Sequence, residues 1–432
     1  MAAAPQLHPF ELPSSVGDAL SSEDELWLLT RRNVQQPRSL FRLAAGGRPE
    51  RVAPPPAHAI GVDICRNQQG TWMPVYVGAE GIVSGQGEVL LPGRFLFPLV
   101  DRSSLMALPS CDERGDTWLL FTHEGLRVRH PDGFVQGLEL SPDVRGYSGH
   151  TQEGLRSQPA FGAAISIYLP RFSFQTTAGK QSMRLVVQKQ NSVHLFTRGS
   201  SGRFTEKAQT IDFEKDLHVP RDMSPHPLWA DLNADGSAEL VMALTAGLST
   251  ETTRISRWSF ASDKGLAAEE VLMEREGFWL PLSAVKRPAG GEGVLLAEVN
   301  LGLTALASAL LTGEIPLHTW FLPKAGAQPV RSHTFHPQIQ LRGERRIGSR
   351  PIATLDLDGD SFTDLIDLSD PRNIVWYRGT PEGYESAKGG SLKVKPFTRH
   401  IVLNRANSLV LLAENESGGT TGTWIQGTAA KK

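Results

Sequence analysis

The apolar positions of this chain come in short runs, each followed by a polar turn and a second such run, a strand–turn–strand unit that recurs to the end. Leu26-Trp-Leu-Leu29 leads to Ser39-Leu-Phe-Arg-Leu43, and Met73-Pro-Val-Tyr-Val77 turns at Gly78-Ala-Glu-Gly81 into Gly81-Ile-Val83. Trp118-Leu-Leu-Phe121 pairs with Leu126-Arg-Val128 across His123-Glu-Gly125, and Arg184-Leu-Val-Val187 with Val193-His-Leu-Phe196. Leu240-Val-Met-Ala243 precedes Ile255-Ser-Arg-Trp-Ser-Phe260, Leu365-Ile-Asp-Leu368 precedes Ile374-Val-Trp-Tyr377, and Leu409-Val-Leu-Leu412 precedes Trp424-Ile425. The prolines of Arg51-Val-Ala-Pro-Pro-Pro-Ala57 cannot sit in a central strand and mark a connection. The polar, glycine-rich passage from Ser141 to Gly162 reads as a long loop.

Two of these strands are entered through acidic loops. Asp356-Leu-Asp-Gly-Asp-Ser-Phe-Thr-Asp364 places carboxylates at its first, third, fifth and ninth positions. Asp231-Leu-Asn-Ala-Asp-Gly-Ser-Ala-Glu239 repeats the register with Asp231, Asn233, Asp235 and Glu239. A hard cation such as Ca²⁺ takes roughly six to eight oxygens, and acids on alternate residues of a tight loop point inward. The ligands expected are Asp231, Asn233, Asp235 and Glu239, and Asp356, Asp358, Asp360 and Asp364. The main-chain carbonyls of Ser237 and Phe362, with water, would complete two structural calcium sites. Solvated Asx-turn acids are the plainer alternative. Neither loop is an EF-hand, which closes on a bidentate Glu at its twelfth position between helices. Here the twelfth residues are Met242 and Asp367, and strands follow.

The pattern D-x-[DN]-x-D-x-x-x-[DE]-L resembles the FG-GAP, or VCBS-type, repeat of integrin-α-like β-propellers. The resemblance implies an all-β single domain across residues 1–432, in which each such loop joins two strands of a blade and binds Ca²⁺. A blade takes roughly 40–60 residues, so one blade is expected between the two loops. Ala297-Glu-Val-Asn-Leu-Gly-Leu-Thr-Ala-Leu306 is read as its decayed loop, Glu298 and Asn300 remaining while Gly302 and Leu306 replace acids. Units start near residues 28, 75, 120, 185, 240, 307, 365 and 410. The expected ring spans about residues 10–428, with the last pair completing a blade begun by the N-terminal strands. That makes seven blades; eight is the alternative. Closure removes exposed sheet edges.

Asp112-Glu-Arg-Gly-Asp116 resembles a further degenerate blade loop, with Arg114 as an internal counter-charge. Its Arg114-Gly115-Asp116 also spells an adhesion tripeptide, too short a motif to carry a function. Cys65 and Cys111 precede equivalent strand positions by the same interval, which suits either an inter-blade disulfide or two buried thiols. Gly146-Tyr-Ser-Gly-His150 is not a nucleophile elbow, and His333-Thr-Phe-His336 lacks a nearby acid. Trp27, Trp118, Trp258 and Trp376 fall on strands and read as blade packing, with stacking on a sugar as the alternative.

The formal charge of −2 gives no bulk reason to expect nucleic acid, and no run is long enough to span a membrane. Two cysteines exclude a disulfide-dense scaffold. Met1-Ala-Ala-Ala-Pro-Gln shows no signal peptide, leaving a cytosolic protein or a mature segment with Met1 in place of its leader. Weak calcium loops suit millimolar extracellular calcium and favour export, to the cell surface, periplasm or beyond. The expected function is a non-enzymatic platform binding a protein or glycan. A propeller polysaccharide lyase or hydrolase, acting at the central opening, is the competitor.

Overall fold

A computed structural model describes residues 5–427 except 23–24, 31–37, 46, 57, 96–105, 113, 141–154, 158–164, 168–170, 177–182, 190, 221, 247–251, 262–264, 267, 288–289, 300–315, 336–351, 404–406 and 416–417. The described residues form strands and turns and no helix, so none of them makes a helix able to cross a membrane.

The strands build eight blades, each lettered a to d from the centre outward. Blade 1 is Val16–Ser21, Glu25–Thr30, Leu40–Ala44 and Glu50–Arg51. Blade 2 is Gly61–Arg66, Trp72–Gly78, Gly81–Val83 and Val89–Pro92. Blade 3 has Trp118–Thr122, Gly125–Arg129 and Val135–Leu138 as b to d. Blade 4 is Arg171–Thr176, Met183–Gln188, Ser192–Thr197 and Gln209–Asp212. Blade 5 is Ser224–Ala230, Glu239–Thr245, Thr252–Trp258 and Glu270–Glu276. Blade 6 is Phe278–Lys286, Glu292–Val299, Leu317–Leu322 and Val330–Phe335. Blade 7 is Ile352–Leu355, Asp364–Asp367, Asn373–Tyr377 and Gly390–Lys393. Blade 8 is Arg399–Leu403, Ser408–Glu414, Thr420–Gln426 and, as its strand d, the N-terminal Gln6–Leu12.

The apolar runs are central strands buried on both faces, which is why they do not alternate with polar residues. Successive side chains of a strand point to opposite faces, so each run feeds two neighbouring joints. In blade 1, Leu26 and Leu28 pack towards blade 8 while Trp27 and Leu29 pack towards blade 2. In blade 5, Leu240, Met242 and Leu244 face blade 4, and Val241 and Ala243 face blade 6. Leu365 of blade 7 faces blade 6, and Ile366 faces blade 8. Blades 2, 3 and 4 share one continuous cluster. Followed in order, these cores return from blade 8 to blade 1, and the ring is closed.

The expected seven blades are therefore corrected to eight. The last hairpin does take a strand from the N-terminus, but only Gln6–Leu12; the next strands form a blade of their own. The decayed loop is also misplaced. Glu298 lies on strand b of blade 6, where its Oε2 accepts a hydrogen bond from Trp320 Nε1 at 2.8 Å. Asn300, Gly302 and Leu306 lie outside the described residues. The a–b connection of blade 6 is instead residues 287–291.

Blade 3 departs most from the pattern. Met106–Ala107 pairs in parallel with Gly61–Val62 of blade 2, and the chain then crosses to pair Cys111 with Trp118. Cys65 and Cys111 are joined there, with Cα atoms 6.0 Å apart, stapling blade 2 to blade 3. The buried Asp63 carboxylate seats this crossing, accepting from Ser110 N at 2.7 Å and Cys111 N at 3.2 Å.

Two outcomes test this architecture. Phe10 of the closing strand covers Gly422, where a β-carbon would meet its ring at 2.1 Å. Phe10→Ala should cost about 3–5 kcal/mol in denaturant unfolding; an unchanged midpoint would contradict closure by this strand. The disulfide spans 46 residues, so Cys111→Ser should cost the oxidised protein about 4 kcal/mol by the loop-entropy model. Reductant should erase the difference between the two proteins.

Candidate metal centre

Both acidic loops fill the same place, the turn from strand a to strand b, in blades 5 and 7. Their tightness shows in the backbone. Ala234 and Gly236 in one loop, and Gly359 and Ser361 in the other, have φ between 62° and 85°. For Ala234 and Ser361 that left-handed conformation costs on the order of 1–2 kcal/mol each, held by the acids themselves. Asp356 Oδ1 accepts from Gly359 N at 2.8 Å and Oδ2 from Ser361 N at 3.0 Å. Asp231 likewise accepts from Asp235 N at 3.2 Å and Gly236 N at 3.0 Å.

The two loops differ in what they bring together. One oxygen each of Asp356, Asp358 and Asp364 lies within 4.8 Å of the others. Oxygens sharing a calcium ion at about 2.3–2.6 Å fall within such a span. Asp364 is fully buried and accepts from Leu357 N and Gly379 N. Asp358 is 7% exposed, and the Arg378 guanidinium stands 3.0 Å from its Oδ2 as an ion pair. Asp360 stays outside this cluster, exposed, its carboxylate accepting from Phe362 N at 2.8 Å. Donor chemistry and spacing both fit a hard cation here.

In the other loop no such triad of acids forms among the described residues. Asn233 Nδ2 donates to Asp235 Oδ2 at 3.0 Å, and Asp235 Oδ1 accepts from Ser237 N at 2.7 Å. Glu239, 2% exposed, accepts from Leu232 N and faces Arg257 at 3.5 Å. This loop is bonded to itself, and a cation would have to turn Asn233 and Asp235 inward. Arg257 and Arg378 were invisible to loop reading because they arrive from the ends of strand c.

Each loop is also gripped by the next blade. Asp231 N donates to Glu292 Oε2 at 3.0 Å, while Glu292 N donates to Asp231 O at 2.6 Å. Asn407 Nδ2 of blade 8 donates to Asp356 O at 2.6 Å. The loops therefore sit across joints 5/6 and 7/8, and what orders a loop orders a joint.

The residues from Asp112 to Asp116 take the equivalent place in blade 3. Buried Asp112 accepts from Asp116 N at 2.9 Å and Thr117 N at 3.2 Å. Gly115 O accepts from Arg66 N and Trp118 Nε1, both at 2.9 Å. The tripeptide is thus folded against blade 2 through its glycine, as a blade turn. Trp27, Trp118, Trp258 and Trp376 are buried. His333 packs against Tyr377 with ring centroids 3.6 Å apart, while His336 and residues 146–150 lie outside the described residues.

Burial pushes Glu239 and Asp364 up to about 7, from about 4.3 and 3.9 unfolded. The folded chain then holds protons that the unfolded chain has released, so stability falls as pH rises from about 4 through 7. Buried His194 and His400, pushed down to about 4, act oppositely, adding stability as pH rises through about 6.5, and burial lowers His130 and His333 in the same sense. Substitution of the acids separates the two effects. Without divalent cations, the melting temperatures of Glu239→Gln and Asp364→Asn should gain on that of the unsubstituted protein as pH rises from 6.5 to 8. Parallel profiles in all three proteins would contradict the burial of these acids.

No family model matches the chain, and no curated protein matches it. Similar solved structures include the WD40 domain of Toxoplasma gondii coronin, at 10% identity and TM-score 0.41, covering 100% of this chain and 88% of that one. The AfRom2 CNH domain aligns at 10% identity and TM-score 0.37, covering 99% of both chains. The Dos1 propeller aligns at 10% identity and TM-score 0.37, covering 99% of this chain and 96% of that one. The propeller assignment itself rests on the strand pairing and joint cores described above.

Proposed function

We propose that this chain is a calcium-stabilised, non-enzymatic propeller that binds a protein partner in an exported or cell-surface assembly. The closed ring is a scaffold compatible with a binding platform. The observation that carries the calcium reading is the convergence of one oxygen each from Asp356, Asp358 and Asp364 within 4.8 Å, two of the three acids being buried. Three carboxylates so close repel one another, and a bound cation would add to the relief that the Arg378 guanidinium gives Asp358. The Asp231 loop is the weaker second site. Export is supported by the joined Cys65 and Cys111, since such bonds persist in oxidising compartments. A protein partner is favoured over a glycan because the tryptophans offered for sugar stacking are buried.

Cation that binds only the folded ring adds RT ln(1 + [Ca]/Kd). With Kd about 10⁻⁴ M and calcium about 10⁻³ M, that is about 1.4 kcal/mol per loop. In a chain this long the melting temperature should rise by only about 1.5 °C per loop. Asp358→Asn should remove about 1.5 °C of the shift, and Asp235→Ala no more than that, since its loop is the weaker site. If chelation leaves melting unchanged and calorimetry finds no calcium binding, the loops are turns alone.

A further inference from the structure

Two arginines are buried among the described residues, and they are not provided for alike. Arg129, 8% exposed, lies over Trp118 at 4.4 Å and has the Asp132 carboxylate near enough to favour its charge. Arg184 is 6% exposed. Burial pushes its pKa down, and no carboxylate among the described residues pulls it back. Its Nε is buried and meets no hydrogen-bond acceptor among them. A guanidinium cannot shed its proton near neutral pH, so the charge stays in the joint uncompensated.

Arg184 is the second residue of strand b in blade 4 and turns towards blade 5, as Val186 does two positions on. Its partner across the ladder is Gln175, the penultimate residue of strand a, which shares that face. Gln175 Nε2 is likewise buried without an acceptor. From blade 5, just past strand c, Phe260 lies against the guanidinium at 5.5 Å. The Phe260 ring also meets that of Trp229 at 5.3 Å, and Trp229 is the penultimate residue of strand a in blade 5. Trp229 Nε1 is a third buried donor with no acceptor. Two neighbouring blades thus bring three donors to the same end of their joint, where the a–b connections lie.

The set is one-sided. The face of Phe260 attracts the cation but does not replace an oxygen acceptor. Turning the Gln175 amide over would offer an oxygen and still leave the charge unpaired. What all three groups lack is an acceptor, and what Arg184 lacks is an anion. The small exposure left to Arg184 suits an ion and not a polypeptide.

We propose that joint 4/5 binds a phosphate-type oxyanion, free or at the end of a small molecule, on Arg184, Gln175 and Trp229. A tetrahedral oxyanion offers separate oxygens to a guanidinium, an amide and an indole. Bound there, it would pin blade 4 to blade 5 beside their shared apolar core and stabilise the folded ring by mass action. The inference rests on neither the calcium reading nor the platform reading.

Calorimetric titration of the full chain in calcium-free chloride buffer tests it, with inorganic phosphate, sulfate and glycerol phosphate as probes. Phosphate should bind at a single site per chain. Glycerol phosphate binding as tightly as phosphate would support a phosphorylated small molecule as occupant, and binding of phosphate and sulfate alone would support the free ion. Arg184→Met keeps the apolar stem. It should weaken phosphate roughly tenfold or more, yet melt in chloride no lower than the unsubstituted protein, because a buried unpaired charge is gone. Gln175→Leu should weaken phosphate about fivefold, and it decides the matter where the first variant does not fold. Phosphate and sulfate also stabilise folded proteins by exclusion from their surfaces, an effect common to all three proteins. Equal phosphate affinity in the three, or no saturable binding of any probe, would overturn the site.

Discussion

The structure depends on one constraint: each blade must be covered on both faces by its neighbours, and no blade has a core of its own. Leu26 and Trp27, adjacent in the chain, belong to different joints, as do Leu240 and Val241. A stack of such blades that stopped short would leave two apolar faces open to water. The cost of a buried Leu returned to water is about 1.5–3 kcal/mol, and each end face holds several. Closure is therefore part of the folding free energy rather than an ornament of the topology. The N-terminal strand supplies it by pairing Gln6–Leu12 along the whole of Thr420–Gln426.

The joints are not held alike. Blades 2 and 3 are held by the disulfide and by Asp63. Blades 3 and 4 share Asp132 with Arg203 and Gln136 with Phe204. Joints 5/6 and 7/8 are gripped through the first residue of an acidic loop. Joint 8/1 adds Val16 N to Thr420 Oγ1 at 2.9 Å. Joint 4/5 is held by a continuous apolar core that includes Val193, Phe213, Met242 and Trp258, with buried Arg184 over Phe260 at 5.5 Å.

Much of this was legible in the sequence, for a physical reason. Strand b of each blade is buried on both faces, so it reads as an unbroken apolar run, and seven of the eight expected starting points fall on such strands. The inner strands were not legible. Val16-Gly-Asp-Ala-Leu-Ser21 and Phe278-Trp-Leu-Pro-Leu-Ser-Ala-Val-Lys286 mix small, polar and proline residues, because their neighbours close around backbone as much as side chain. Without them, the last hairpin seemed to need several N-terminal strands and the blade count fell by one. The misplaced loop has a similar cause. Glu298 and Asn300 mimic an acidic register, whereas the real turn of blade 6 ends in Gly290-Gly291, whose φ values of 92° and 73° leave no acidic trace. Within the acidic loops the positions of the acids could be read, but not their counter-charges, since Arg257 and Arg378 come from elsewhere in the blade.

The central claim is that the N-terminal segment is an integral strand of the eighth blade. Native-state hydrogen exchange tests it most directly, by comparing inward-facing amides of residues 6–12 with those of 420–426. The account predicts comparable protection in the two segments, lost together as denaturant rises, because one opening event exposes both. Rapid exchange across residues 6–12 while 420–426 stays protected would contradict it.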